Sequence, residues 1–380
     1  MKSAIAMALT VLLVVLAPPA PAFAQSPSIP CAVPIPALAP ASDSELMITH
    51  RIARGEGIRV AIIDTGVAAH PNLGHVEAVA DLVSPENPNP LQDCDGHGTI
   101  VAGVVTDIAP GVHILSIRQS SAHFRRADGD ATGTLSGLAQ ALHAALDADA
   151  HVINISVVSC VAQEQASALD TGILEDALAR AEALGVVVVS AAGNLSATCQ
   201  ETMMVYPAQS PTVLPVAAQH ANDPHVLADY SMALPGQVVA PGRYSAGLSP
   251  TGEGWAEAMT NPQGQVTSFE GTSFSAPLVS GVAALLRERY PGDSAAQLRE
   301  RIRQSAEPGH GAVEPHTALT HLPGQFATAP HAIDAQLPTP AEPHARRQAT
   351  RLLGVVAAIS LLGLVLLSFS VPGRSKWQRV

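Results

Sequence analysis

Short apolar runs and longer amphipathic stretches alternate through the middle of this chain. Ile58–Ile63, "IRVAII", is a β-branched run of the length and composition of a strand buried on both faces. "VHILSI" (Val112–Ile117), "HVINIS" (His151–Ser156), "VVVVSAAG" (Val186–Gly193), "TVLPVAA" (Thr212–Ala218) and "GQVVA" (Gly236–Ala240) repeat the pattern. Helical periodicity falls between them. Leu135, Leu138, Leu142 and Leu146 are spaced three, four and four apart, which puts them on one helix face within Thr134–Ala148. Further helices are expected from His97 to at least Thr106, over Leu169–Leu184, from Ser273 to about Tyr290, and from Ser294 to about Ser305. Strands alternating with helices predict an α/β fold with a central, mostly parallel sheet and helices on both faces. Crossovers are expected to be right-handed.

The pattern fails at both ends. Gln25–Glu56 is Pro-rich with little periodicity and reads as an N-terminal extension, residues 25–56. Met1–Ala24 has Lys2, an apolar stretch and the small-x-small ending Ala22-Phe23-Ala24, the pattern of a signal peptide over residues 1–24. The folded body is expected over residues 57–321. A Pro- and Ala-rich linker follows over residues 322–351. Leu352–Val371 is uncharged and apolar, long enough for a transmembrane helix over residues 352–371. Arginines flank it on one side, and Arg374, Lys376 and Arg379 on the other, so flanking charge does not orient it. The signal peptide does: the body lies outside the cell membrane, and residues 372–380 form a cytoplasmic tail.

Composition narrows the chemistry. A formal net charge of −12 with no basic stripe argues against a nucleic-acid partner. Aromatics make up only 3% of the 380 residues, so the core packs with small aliphatic side chains. Cys31, Cys94, Cys160 and Cys199 form an even set in an exported body, which points to two disulfides with three possible pairings. No Cys-x-x-Cys or His-Glu-x-x-His spacing occurs, so neither a metal site nor a cofactor is expected.

Four polar residues occupy chemically favourable positions. Asp64 ends the first strand, where α/β sheets gather ligand and catalytic groups. His97 opens a helix between Gly96 and Gly98. Ser273 opens another in "GTSFSAP", where outward N–H groups favour an oxyanion. Asn194 follows a strand and carries an amide donor. Taken singly, each has a bland reading: a solvated acid, a structural imidazole, a helix cap, a turn residue. Together they lie in the order Asp–His–Ser.

That order, with "IIDTGV", "DGHGTIVAG", "AAGN" and "GTSFSAPLVSGVAALL", resembles the signature segments of subtilisin-like serine proteases. The resemblance implies the three-layer subtilisin-like fold, a catalytic triad of Asp64, His97 and Ser273, and an oxyanion site at Asn194 and the Ser273 backbone. It implies a peptide or protein substrate. "DCDGHGT", "ILSIRQSSAHF", "VINISVVSC" and "YPA" are narrower and look like the mycosins, membrane-anchored subtilases of type VII secretion systems. That likeness implies association with a type VII secretion membrane complex, and pairs Cys31 with Cys94 and Cys160 with Cys199. A mainly structural scaffold, or a general cell-envelope quality-control protease, is the alternative function.

Two expectations are specific to this chain. Ser156 is followed by Val157 and Val158 where subtilisins line the specificity pocket with glycine, which implies a narrowed cleft and restricted cleavage. The extension is too short to be an independently folded inhibitory prosegment, so no large autocatalytic removal is expected.

Overall fold

The computed structural model describes residues 29–41, 43–124, 133–322 and 351–362. The chain divides into two units, residues 1–323 and 324–380. In the first, an eight-stranded sheet is built from β1 (Arg59–Asp64), β2 (His75–Asp81), β3 (His113–Arg118), β4 (Val152–Ile155), β5 (Val187–Ala191), β6 (Val213–His220), β7 (Asp223–Leu227) and β8 (Val238–Pro241). Their order is β7–β6–β5–β4–β1–β3–β2, with β8 also against β6. Only β7 runs antiparallel to its neighbour. This is the α/β architecture that the alternating pattern predicts.

Successive strand residues point to opposite faces, so each buried strand feeds two cores. Val60 and Ile62 of β1 join Val187 and Val189 of β5 beneath two helices, α1 (His97–Ile108) and α4 (Thr272–Arg289). Ala61 and Ile63 join Ile153, Ile155 and Val188 beneath α2 (Leu135–Asp147) and α3 (Gly172–Ala183). Leu138, Leu142 and Leu146 are buried there, as the leucine spacing requires, while Leu135 is only half-buried. Thr134 caps α2 by accepting from the Gly137 N–H. Ser294 and Gln297 form a reciprocal capping box that starts α5 (Ala295–Ser305). The α3 helix begins at Gly172, three residues after the point expected, with the short helix Gln163–Ala166 before it.

The N-terminal extension departs from its aperiodic appearance. Val33–Ala37 is a strand, and Ser44–Thr49 a helix capped by Asp43. The strand pairs antiparallel with Trp255–Thr260, which pairs in turn with Val266–Glu270 in a second, smaller sheet. Pro34 and Pro36 mask the strand in the sequence. They are tolerated because an edge strand is paired on one side only. Cys31 is joined to Cys94, and the Ala32 N–H donates to the Cys94 carbonyl at 2.9 Å. The strand β2 was also not anticipated. It lies at the sheet edge with a mixed burial pattern, so it lacks the apolar run of the inner strands.

Cys160 is joined to Cys199, which fastens the strand pair Ser159–Val161 and Met204–Tyr206. Both pairings are those implied by the mycosin likeness. Closing a loop of this length contributes about 4 kcal/mol on chain-entropy grounds.

In the second unit, residues 351–362 are helical. Among the described residues no helix is long and apolar enough to cross a membrane. The remainder of the apolar stretch, residues 363–371, lies outside them, as do the expected signal peptide, nearly all of the expected linker and the expected tail.

Candidate active site

One rim of the main sheet collects the four polar residues. Asp64 is the last residue of β1 and is fully buried. Asn194 follows β5, and the first turns of α1 and α4 carry His97 and Ser273. His97 Nδ1 lies 2.7 Å from Asp64 Oδ1, which also accepts from the Thr65 N–H at 2.8 Å. The buried carboxylate therefore fixes one tautomer, with the proton on Nδ1 and the lone pair on Nε2. Phe274 packs on the imidazole, with ring centroids 5.0 Å apart. His97 and Ser273 line the same cleft, of about 340 Å³.

Ser273 does not cap its helix. Gly271 occupies the cap position, and no side-chain cap bond is made. The Ser273 hydroxyl is thereby left for the cleft, while its carbonyl accepts from Ser156 Oγ at 2.8 Å. Ser156 belongs to a buried chain of hydrogen bonds: Asn154 Nδ2 donates to Ser156 Oγ, and Ser280 Oγ donates to Asn154 Oδ1. This chain fastens the first turn of α4 to the end of β4.

Asn194 is oriented by Thr272. Its Oδ1 accepts from both the N–H and the hydroxyl of Thr272, each at 3.0 Å. The amide Nδ2 must then face the other way, into open space beside Gly271. A Cβ on Gly271 would lie 2.9 Å from Asn194 Nδ2 and 3.2 Å from Ser273 Oγ. That space, which glycine keeps clear, is within reach of both a nucleophile and an amide donor.

The brace between β1 and α1 was not legible as a functional feature. Asp93 is buried and accepts from Thr65 Oγ1 and the Gly96 N–H at 2.8 Å, and from the Thr99 N–H and hydroxyl at 2.8 and 2.7 Å. Thr65 Oγ1 also accepts from the Gly98 N–H. The turn after Asp64 and the helix carrying His97 thus hang on one carboxylate. Burial raises the Asp93 pKa to about 6, even though hydrogen bonds from Thr99 and Thr65 pull it down. The available signal was an acid three residues before Gly96, at the positive end of a helix.

Gly98 makes the brace possible. A Cβ there would sit 2.1 Å from the Gly66 carbonyl oxygen, a backbone atom that cannot swing aside, and 3.1 Å from the Asp64 Cβ. Gly98→Ala is expected to destabilise the protein by about 3 kcal/mol, measurable by urea denaturation, with His97 displaced from Asp64 in whatever folds.

Electrostatics favour a protonatable base. The largest influence on His97 is burial, which lowers its pKa. The Asp64 charge and hydrogen bond, with Asp93 and Asp95 beyond, overcome this and raise it above the ordinary 6.5.

Residues 55–332 match the model of the subtilase family. The chain belongs to the subtilase family and is a subtilisin-like serine endopeptidase. Within that family its likeness is to the mycosins. It is 37% identical to Mycosin-4 of Mycobacterium tuberculosis over 67% of this chain, and spans 61% of that protein's length. It is 33% identical to Mycosin-3 of the same organism, over 86% of this chain and 82% of that one. A chain in the structure of an intact ESX-5 inner membrane complex superposes with a TM-score of 0.69 at 30% identity, covering 90% of this chain and 94% of that one.

Proposed function

We propose that Asp64, His97 and Ser273 are the catalytic triad of a membrane-anchored, extracytoplasmic endopeptidase of restricted specificity, associated with a type VII secretion complex. The observation that carries the reading is the 2.7 Å contact between His97 Nδ1 and the buried Asp64 carboxylate, in the cleft that Ser273 also lines. Ser273 Oγ attacks the substrate carbonyl carbon as His97 Nε2 takes its proton. Asp64 holds the imidazole and stabilises the imidazolium without itself being protonated. Asn194 Nδ2 and the Ser273 N–H receive the oxyanion. His97 then gives its proton to the leaving amine, and water releases the acyl group from Ser273 by the same steps.

Asn194→Ala is expected to lower kcat about 10²- to 10³-fold with KM nearly unchanged, since the lost donor acts on charge present only in the transition state. Steady-state kinetics on a peptide substrate read this out.

Restricted specificity is supported by a recess of about 180 Å³ at the segment after Ser156, lined by Val157, Val158 and Tyr206 together with Gln119 and Thr134. The disulfide-fastened strand pair beside it resists widening. A peptide library cleaved at few sequences is the expected result, and broad digestion would remove this part of the reading. Anchoring is supported by the uncharged stretch Leu352–Val371. Association with a secretion complex is supported by the likeness to a chain of the ESX-5 inner membrane complex. Affinity purification of the Ser273→Ala chain from its native membrane tests both. Secretion-channel components and a trapped substrate should be held together. Channel components held without any substrate would favour a mainly structural role.

A further inference from the structure

We infer that His225, Glu307 and His310 form a site for a zinc-class divalent ion, remote in sequence from the catalytic residues. The three possible ligand atoms all lie within 4.8 Å of one another. The two imidazole rings stand edge to face, 87° apart, with centroids separated by 5.3 Å. His310 Nε2 is 3.5 Å from Glu307 Oε2, close to the spacing of about 3.4 Å that two ligands at about 2.1 Å take in a tetrahedral site. His310 Nε2 is also buried without a hydrogen-bond partner. The nearby Glu307 carboxylate makes no hydrogen bond to it, and a buried ring nitrogen left without one is costly unless something else satisfies it.

The backbone prepares the site. Pro308 fixes φ in the turn, and Gly309 and Gly311 take positive φ of 103° and 82°. The turn closes through the Gly311 N–H to the Glu307 carbonyl, and the Glu307 N–H to the Ala312 carbonyl. Glu307 and His310 are thereby held side by side. His225 comes from β7, the antiparallel edge strand, so it approaches from a separate element. Closing the remaining gap needs movement only of His225 and Glu307, which are both exposed.

The donor set identifies the class of ion. Two imidazoles and one carboxylate suit zinc and its neighbours, whereas calcium and magnesium favour all-oxygen sites. Three protein ligands leave a fourth position to water. Bound there, the ion would clip β7 to the turn that leads into Ala312 and Val313, which run beside Val239 of β8. Sequence inspection misses the site because its halves come from segments far apart, with no short-range spacing to recognise.

The test uses the full-length chain, dialysed against chelator and then titrated with Zn²⁺ alone. One zinc per chain should remain after desalting, and Tm should rise by about 5 °C at a hundredfold excess over Kd. His225→Ala and His310→Ala should each abolish retention and the Tm rise, while His75→Ala keeps both. Because His225 is exposed, its variant should match the parent in Tm and peptidase activity without zinc. The proposal is overturned if the parent retains no zinc, if the His225→Ala, His310→Ala double variant retains it equally, or if Ca²⁺ gives the same Tm rise.

Discussion

Ser273→Ala should fold normally and cleave nothing measurable. The hydroxyl makes no cap bond in α4, and the tie from Ser156 goes to the Ser273 carbonyl, which alanine keeps. Stability should therefore stay within about 0.5 kcal/mol of the parent, as for substitutions that remove no buried contact. Turnover should fall on the order of 10⁶-fold, the loss measured in subtilisin when its serine is removed. Thermal unfolding and hydrolysis of a fluorogenic peptide, measured on the same preparation, separate the two effects. A variant that keeps more than a hundredth of the parent's activity would show that another group attacks the substrate.

Asp64→Asn should cost about 10⁴-fold in kcat, because an amide can present its N–H to Nδ1 and so select the wrong tautomer. It carries a second signature in its pH dependence. Catalysis needs neutral His97, so activity rises with pH as the imidazolium loses its proton. In the parent that acid limb should lie above pH 6.5, because the surrounding carboxylates raise the His97 pKa. Without the Asp64 charge, burial dominates, the pKa falls, and the limb moves to lower pH. A general loss of folding would lower the rate at every pH without moving the limb. The two quantities come from one set of kcat/KM measurements across pH.

The sheet was readable because strands buried on both faces leave short, mainly apolar runs in place of an alternation, and β1, β4, β5 and β6 do so. Asp64, His97, Asn194 and Ser273 are each bland taken singly; they stand out through their Asp–His–Ser order and the subtilisin-like segments that carry them. What positions them was not. Asp93, Thr272 and Ser156 act through partners that lie far away in sequence or that exist only once α1 and α4 have docked. Nor does an isolated "VPIPA" reveal a strand, because its place is decided by Trp255–Thr260 more than two hundred residues later. Local pattern reports burial, whereas bracing is a property of register between elements.

The Cys31–Cys94 bond has a practical corollary. Its two ends bracket the helix Ser44–Thr49, β1 and Asp64, and Cys94 stands three residues before His97. A protease nick anywhere between the two cysteines would leave both fragments joined. On a gel without thiol reductant such a molecule would run as one species, and only reduction would release the N-terminal piece.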